Sequence, residues 1–169
     1  MRFNGYDVKL GRNKGFTLIE LIVAVALLGI SLAIAAPSFN NYRHKVNFRE
    51  AARNFSSEIA LYRQRAIAEN IRYQIVISDA NNNYIVQAED PDNLGTFITL
   101  GTRSFADKSP LVSINSTTFT GTPPTINIQP RGTINPPGTV ELRHARLGEA
   151  TATVTVNIMG RIRVDYDKM

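Results

Sequence analysis

Lys14-Gly15-Phe16-Thr17-Leu18-Ile19-Glu20 opens the stretch that decides this chain, and LIVAVALLGISLAIAA carries it on to Ala36, just before Pro37. From Phe16 to Ala36 there are 21 residues and one charge, Glu20. At about 1.5 Å per helical residue this run reaches ~30 Å, the thickness of a bilayer's hydrocarbon core. An acid at the middle of a membrane helix costs roughly 2.5 to 3.5 kcal/mol. Glu20 therefore needs either a position near the membrane interface or a cation close enough to repay desolvation.

Working outward, the fifteen residues before Phe16 are polar and basic: Arg2, Lys9, Arg12 and Lys14 against Asp7. They read as a leader outside the fold. They carry +3 of the formal net charge of +5, so the remainder carries only +2. That is too little to imply a nucleic-acid partner from charge alone. Positive charge ahead of an apolar span instead holds that end in the cytoplasm. An ordinary secretory signal is the rival reading, with Ala33-Ile34-Ala35 as its cut site. Two features count against it: the run exceeds the ~7–15 residues of a signal core, and it contains Glu20. The chain has no Cys, which excludes disulfides, thiolate metal sites and Cys nucleophiles.

Past Pro37, which is expected to kink the helix near Ala33–Ala36, the helical pattern resumes. Phe48, Ala52, Phe55, Ile59, Tyr62 and Ala66 alternate spacings of four and three, one apolar stripe running to about Glu69. Arg43, Lys45, Arg49, Arg53, Arg63 and Arg65 occupy the other surface and read as a solvated face. From Ile71 the period becomes two. Strands are predicted at 71–77, 84–88, 96–100, 111–115, 125–129, 140–144, 152–158 and 160–166. The turn 79–83, the acidic loop 89–93 and Ser/Thr/Pro/Gly-rich connections separate them. One long helix followed by six to eight short strands gives an α+β fold, the helix laid across antiparallel sheet.

The segment Lys14–Glu20, the apolar length and Pro37 together closely resemble type IV prepilins and pseudopilins. The resemblance implies cleavage between Gly15 and Phe16 by a prepilin peptidase and methylation of the new Phe16 amine. It further implies that Glu20 neutralises the N-terminal amine of a neighbouring subunit, and that the stem near Pro37 flexes during assembly. The order of the later elements is similar to the GspH/FimT group of minor pilins and pseudopilins. An amphipathic helix ends near Arg65-Ala66-Ile67, a hairpin follows, and a Pro-Arg-Gly-Thr loop leads to strands closing on Gly-Arg-x-Arg. The expected organisation is a cleaved leader (1–15), a transmembrane and assembly helix (16–37), the amphipathic half of the stem (38–70) and an antiparallel β domain (71–169). The implied location is the bacterial inner membrane with the β domain in the periplasm, then a pilus or secretion pseudopilus, near its tip. The implied partners are other pilin-like subunits and the peptidase.

No catalytic set is legible, so the chain reads as a non-enzyme without cofactor, metal or small-molecule substrate. His44 and His144 read as partly exposed polar residues lacking partners at motif spacing. Asp90 and Asp92 flank Pro91, but a calcium site needs six to eight oxygens. The C-terminal arginines remain. Arg161 and Arg163 alternate on one strand face, and Arg143 and Arg146, from a nearby hairpin, are candidates to join them. Guanidinium groups bind phosphate through a planar fork of donors. Minor pilins of the FimT type that take up DNA carry Gly-Arg-x-Arg, which Gly160–Arg163 resembles. DNA is therefore the alternative partner. The competing reading is a solvated strand face, with Asp165 and Asp167 near enough to pair.

Overall fold

The computed structural model describes residues 15–107 and 109–168, apart from the side chains of 34–38. The leader expected at 1–14 lies outside the described residues. Among the described residues one helix, α1 (Leu18–Glu69), is followed by nine strands. These are β1 (Tyr73–Ser78), β2 (Asn83–Glu89), β3 (Phe97–Ser104), β4 (Val112–Thr117), β5 (Thr125–Ile128), β6 (Ile134–Asn135), β7 (Gly138–His144), β8 (Thr151–Val156) and β9 (Ile162–Asp167). The fold is α+β, as the change of period from 3.6 to 2 requires.

Thr17 begins the helix. Its hydroxyl accepts the Glu20 amide at 3.3 Å, and its carbonyl accepts the Leu21 amide at 3.2 Å. This is an N-cap followed three residues later by Glu, the pattern of a capping box. Pro37 does not end the helix, which spans 52 residues. Asn70 closes it at φ 55°, the left-handed conformation that Asn tolerates best after Gly. The chain divides into two compact units between Phe39 and Asn40. Among the described residues no helix is long and apolar enough to cross a membrane. The fully described part of the apolar run within α1 is residues 18–33, sixteen residues, all exposed.

In residues 40–169 the predicted stripe is the core. Phe48, Ala52, Phe55, Ile59, Tyr62 and Ala66 are all buried. They pack with two sheets rather than one: β3-β2-β1-β5-β6 and β4-β7-β8-β9, antiparallel throughout. Phe55 meets Tyr84 and Phe105 edge-on, at 4.9 and 5.0 Å between ring centres. Asn82 joins the sheets. At φ 50° it turns the β1–β2 hairpin, and its side-chain amide donates to Val112 O and accepts from the Ile114 amide. A turn was legible at 79–83, but its second role was not, because Val112 and Ile114 lie some thirty residues away.

Two surface readings change. Arg63 is half-buried, and its guanidinium donates to Gly132 O (2.7 Å) and Met159 O (3.3 Å), so it fastens two loops to the helix. Glu89, expected in an acidic loop, is the last residue of β2 and 5% exposed. Arg72 donates to it through Nε at 2.8 Å and again through its terminal nitrogen, and the Gly95 amide donates at 2.9 Å. These donors, Arg72 first, pull the Glu89 pKa down to about 2 against the cost of burial.

Arg72→Ala should cost about 2 kcal/mol, because it strips a buried carboxylate of its main donor and leaves the Gly95 amide. A carboxyl with a folded pKa below its unfolded value stabilises the fold above about pH 4.3, and that contribution fades as pH falls toward 2. Denaturant midpoints should therefore separate wild type from Arg72→Ala at pH 7 and converge near pH 2. A gap independent of pH would mean that the guanidinium acts only by packing over Phe97, whose ring centre is 5.8 Å away.

Candidate functional site

The residues expected to serve processing and assembly lie at and after the start of α1. Gly15 and Phe16 precede the helix, and Phe16 is 85% exposed. Glu20 sits in the first turn among exposed apolar neighbours Leu18, Ile19, Leu21 and Ile22. Thr17, which caps this turn, was absent from the sequence-derived site set, although Thr-x-x-Glu is a readable capping pattern. An acid in the first turn also meets the positive end of the helix dipole. Pro37 lies inside α1, and its side chain falls outside the described residues.

The arginines of the final strands do not converge. Arg163 lies on the outer face of β9 with Asp165 and Asp167, all exposed, while Ile162, Val164 and Tyr166 turn inward. Arg161 is exposed just before β9. Arg163 stands opposite Thr155 of β8, which stands opposite Thr139 of β7. Arg143 stands opposite Thr151, which stands opposite Asp167. Arg143 is thus two strands away from Arg163 and four residues along, roughly 16 Å by sheet spacings. Arg146 follows β7 at the same end, and Arg161 lies beyond the opposite end of β9. The expectation that Arg143 and Arg146 join the last strand fails, because the antiparallel register carries them to its far end. Between the two rows lies an acidic one, Glu141–Thr153–Asp165. Asp165 accepts both Nε and a terminal nitrogen of Arg163, at 2.8 and 2.7 Å. Arg143 donates to Ser113 Oγ at 3.3 Å. The outer face therefore alternates in sign.

Gly160, the first residue of Gly-Arg-x-Arg, has a structural duty. Its amide donates to Asn157 O at 2.9 Å, it sits at φ 73°, and the Arg161 amide donates to Asn157 Oδ1 at 2.8 Å. A tight turn ending in a left-handed glycine is a common hairpin solution. A Cβ here would also lie 2.6 Å from Arg63 Cδ and from Gly132 O.

The two histidines, read as partly exposed residues lacking partners, meet; His44 is partly exposed as expected, but His144 is buried. His44 of α1 and His144 of β7 have ring centres 5.1 Å apart, and His144 is 1% exposed. Burial, then the charges of His44 and Arg146, hold the His144 pKa below its ordinary value. Asp90 and Asp92 flank Pro91 as expected, but Asp90 Oδ1 accepts the Asp92 amide at 3.0 Å, closing the loop on itself.

A long N-terminal helix whose second half seats an apolar stripe on antiparallel sheets, after a Gly-Phe junction with an acid one turn on, is the arrangement of a pilin-type filament subunit. Residues 10–36 match the prokaryotic N-terminal methylation motif, and residues 51–160 match the family described as Type II transport protein GspH. The chain belongs to the GspH family, a family of structural pilin and pseudopilin subunits and not of enzymes. The type IV major pilin protein PilA of Myxococcus xanthus is 46% identical over 46 residues, 27% of this chain and 21% of that protein. A fimbrial protein of Pseudomonas aeruginosa is 34% identical over 67 residues, 40% of this chain and 41% of that protein. The matches thus span between a fifth and two fifths of these curated relatives.

Among solved structures, the minor pseudopilin EpsH of the Vibrio cholerae type 2 secretion system superposes with a TM-score of 0.57 at 12% identity, covering 69% of this chain and 94% of that one. The type IV minor pilin FimU of Pseudomonas aeruginosa gives 0.56 at 11%, covering 73% and 92%. At such identities the likeness is one of fold.

Proposed function

We propose that this chain is a minor subunit of a type IV pilus or a type II secretion pseudopilus. A prepilin peptidase cuts it between Gly15 and Phe16, and Phe16 becomes N-methylated. The apolar run 16–36 holds it in the inner membrane with the β domain in the periplasm. It is then drawn into the filament near the tip, where Glu20 sets register against a neighbouring subunit and Pro37 lets the stem adjust. One observation carries this reading: a single helix joins a methylation-type N-terminus to a GspH domain. Mass spectrometry of the protein extracted from membranes should find a chain that begins at methylated Phe16. A chain that begins at Met1, or just after Ala35, would overturn the proposal.

DNA capture is the second reading, favoured by the exposure of Arg161 and Arg163. The Arg163–Asp165 pair and the distance to Arg143 and Arg146 count against it. Residues 40–169, which hold the whole core, can be titrated into duplex DNA at several salt concentrations beside Arg161→Ala/Arg163→Ala. A DNA receptor gives log K falling by about 0.9 per phosphate contact per decade of salt, with a shallower slope in the double variant. The structural reading expects no binding even at low salt.

A further inference from the structure

The end of the β domain where α1 hands over to β1 carries two unlike flanks. Tyr73, which opens β1, stands opposite Ala88 of β2 and Ile128 of β5. The β2–β3 loop (90–96) and the β5–β6 turn (129–133) therefore leave the first sheet at this same end. The strand order β3-β2-β1-β5-β6 sets them three strand spacings apart, about 14 Å. Arg63 ties the β8–β9 turn to the β5–β6 turn, since it holds both the Gly132 and the Met159 carbonyl.

One flank is acidic and apolar. Asp92 and Leu94 are exposed in the β2–β3 loop, Leu94 at 80%, and Ile98 is exposed at the start of β3. The other flank is basic and apolar. Ile67, Ile158 and Met159 are exposed, Met159 at 70%, and Arg131 and Arg161 are exposed in the same two turns. The Asp92 carboxylate and both of these guanidinium groups make no hydrogen bond or ion pair among the described residues. Arg65 and Arg72, at this end too, are already paired with Glu69 and Glu89. Exposed aliphatic side chains rimmed by charge are the make-up of a protein–protein contact. Duplex DNA offers phosphates to the arginines and nothing to the aliphatic side chains beside them.

We propose that the acidic flank of one copy of this chain docks on the basic flank of a second copy, side by side and in the same orientation. Asp92 then faces Arg131 and Arg161, and Leu94 and Ile98 cover Ile158 and Met159. The match in charge steers the approach, and the aliphatic contact supplies the burial. Because the two flanks differ, the contact is heterologous. Each pair leaves one flank of each kind free, and a further copy can extend the row. The shared orientation rests on the membrane anchoring through residues 16–36 proposed above, whereas the contact itself rests on the flanks alone.

The chain has no Cys, so single introduced thiols can report the contact. The full chain in a neutral detergent is prepared as Asn93→Cys and as Met159→Cys and treated with a short bismaleimide. A mixture of the two should cross-link at least about fivefold more than either variant alone, because like flanks repel. Equal yields would mean that the apolar runs gather chains in the micelle at random, and the proposal fails. Arg131→Glu/Arg161→Glu in the Met159→Cys chain should bring the mixture down to the level of the single variants. Asp92→Arg in the Asn93→Cys chain should then restore it, a rescue that a misfolded variant could not show. A yield unchanged by the reversal, or a loss without rescue, overturns the proposal. If the yield is unchanged while the same reversal abolishes binding to duplex DNA, the arginines serve DNA instead. A chain carrying both cysteines should give products larger than a dimer. Products that stop at the dimer would mean an end-to-end two-fold pair and overturn the side-by-side arrangement. Processing at Gly15 is read separately from the N-terminal mass, so failure of one reading leaves the other standing.

Discussion

Glu20→Val is expected to leave cleavage between Gly15 and Phe16 intact and to reduce the protein recovered in sheared filaments at least tenfold. Glu20 is the only charged residue among 21, so in an apolar surrounding its carboxylate has a cost that a cation must offset. The amine of a processed Phe16 on a neighbouring chain is the cation the reading supplies. Breaking a buried pair by removing one partner costs about 3–5 kcal/mol, and ~1.4 kcal/mol is already tenfold in an assembly constant.

The structure adds a competing duty, because Thr17 and Glu20 occupy capping-box positions and the Glu20 amide already bonds to Thr17 Oγ1. Glu20→Gln separates the two roles. Gln serves a capping box as Glu does, but it cannot neutralise an amine. Glu20→Gln should therefore fail in filament recovery nearly as badly as Val. If Gln assembles normally while Val fails, the acid is there to cap the helix and the pairing idea is wrong.

Gly160→Ala is expected to cost about 3 kcal/mol or more, a fall of roughly 6–12 °C in unfolding midpoint for a unit of this size. Part of the loss is the left-handed backbone, at about 1 kcal/mol. The rest is contact. An added Cβ lies 2.6 Å from Arg63 Cδ and 2.6 Å from Gly132 O, so Arg63 must swing away and release the Gly132 and Met159 carbonyls it now holds. Gly148 provides the control. It has φ 65° and open space around its missing Cβ, so Gly148→Ala should show only the backbone share. Equal losses at the two positions would mean that the Arg63 clamp contributes nothing. The comparison also bears on DNA binding. A Gly160 variant that loses it would have lost the turn that presents Arg161, and only the arginine substitutions test the contact itself.

Much of this was legible in the chain. The Gly15–Phe16 junction, the lone Glu20 and the length of the apolar run are local in sequence. The stripe from Phe48 to Ala66 and the hairpin of β1 and β2 follow from periods of 3.6 and 2. β6 was missed because two residues between Gly132 and Pro136 carry no period at all. The split into two sheets was missed because nothing local marks which strand edges pair.

The sequence by itself determined the class of protein, a prepilin-type apolar N-terminus on a helix that seats an antiparallel β domain, because each of those signals is set by neighbours within a few turns. Only the tertiary structure decided what the charged and polar residues do. Register along β7, β8 and β9 separated Arg143 and Arg146 from Arg161. Close packing turned Arg63 and Gly160 into one clamp, and burial turned Glu89 from a loop acid into an ion-pair partner. The approach of α1 to β7 brought together His44 and His144. Each of these depends on atoms tens of residues apart, and no periodicity in the chain encodes such distances.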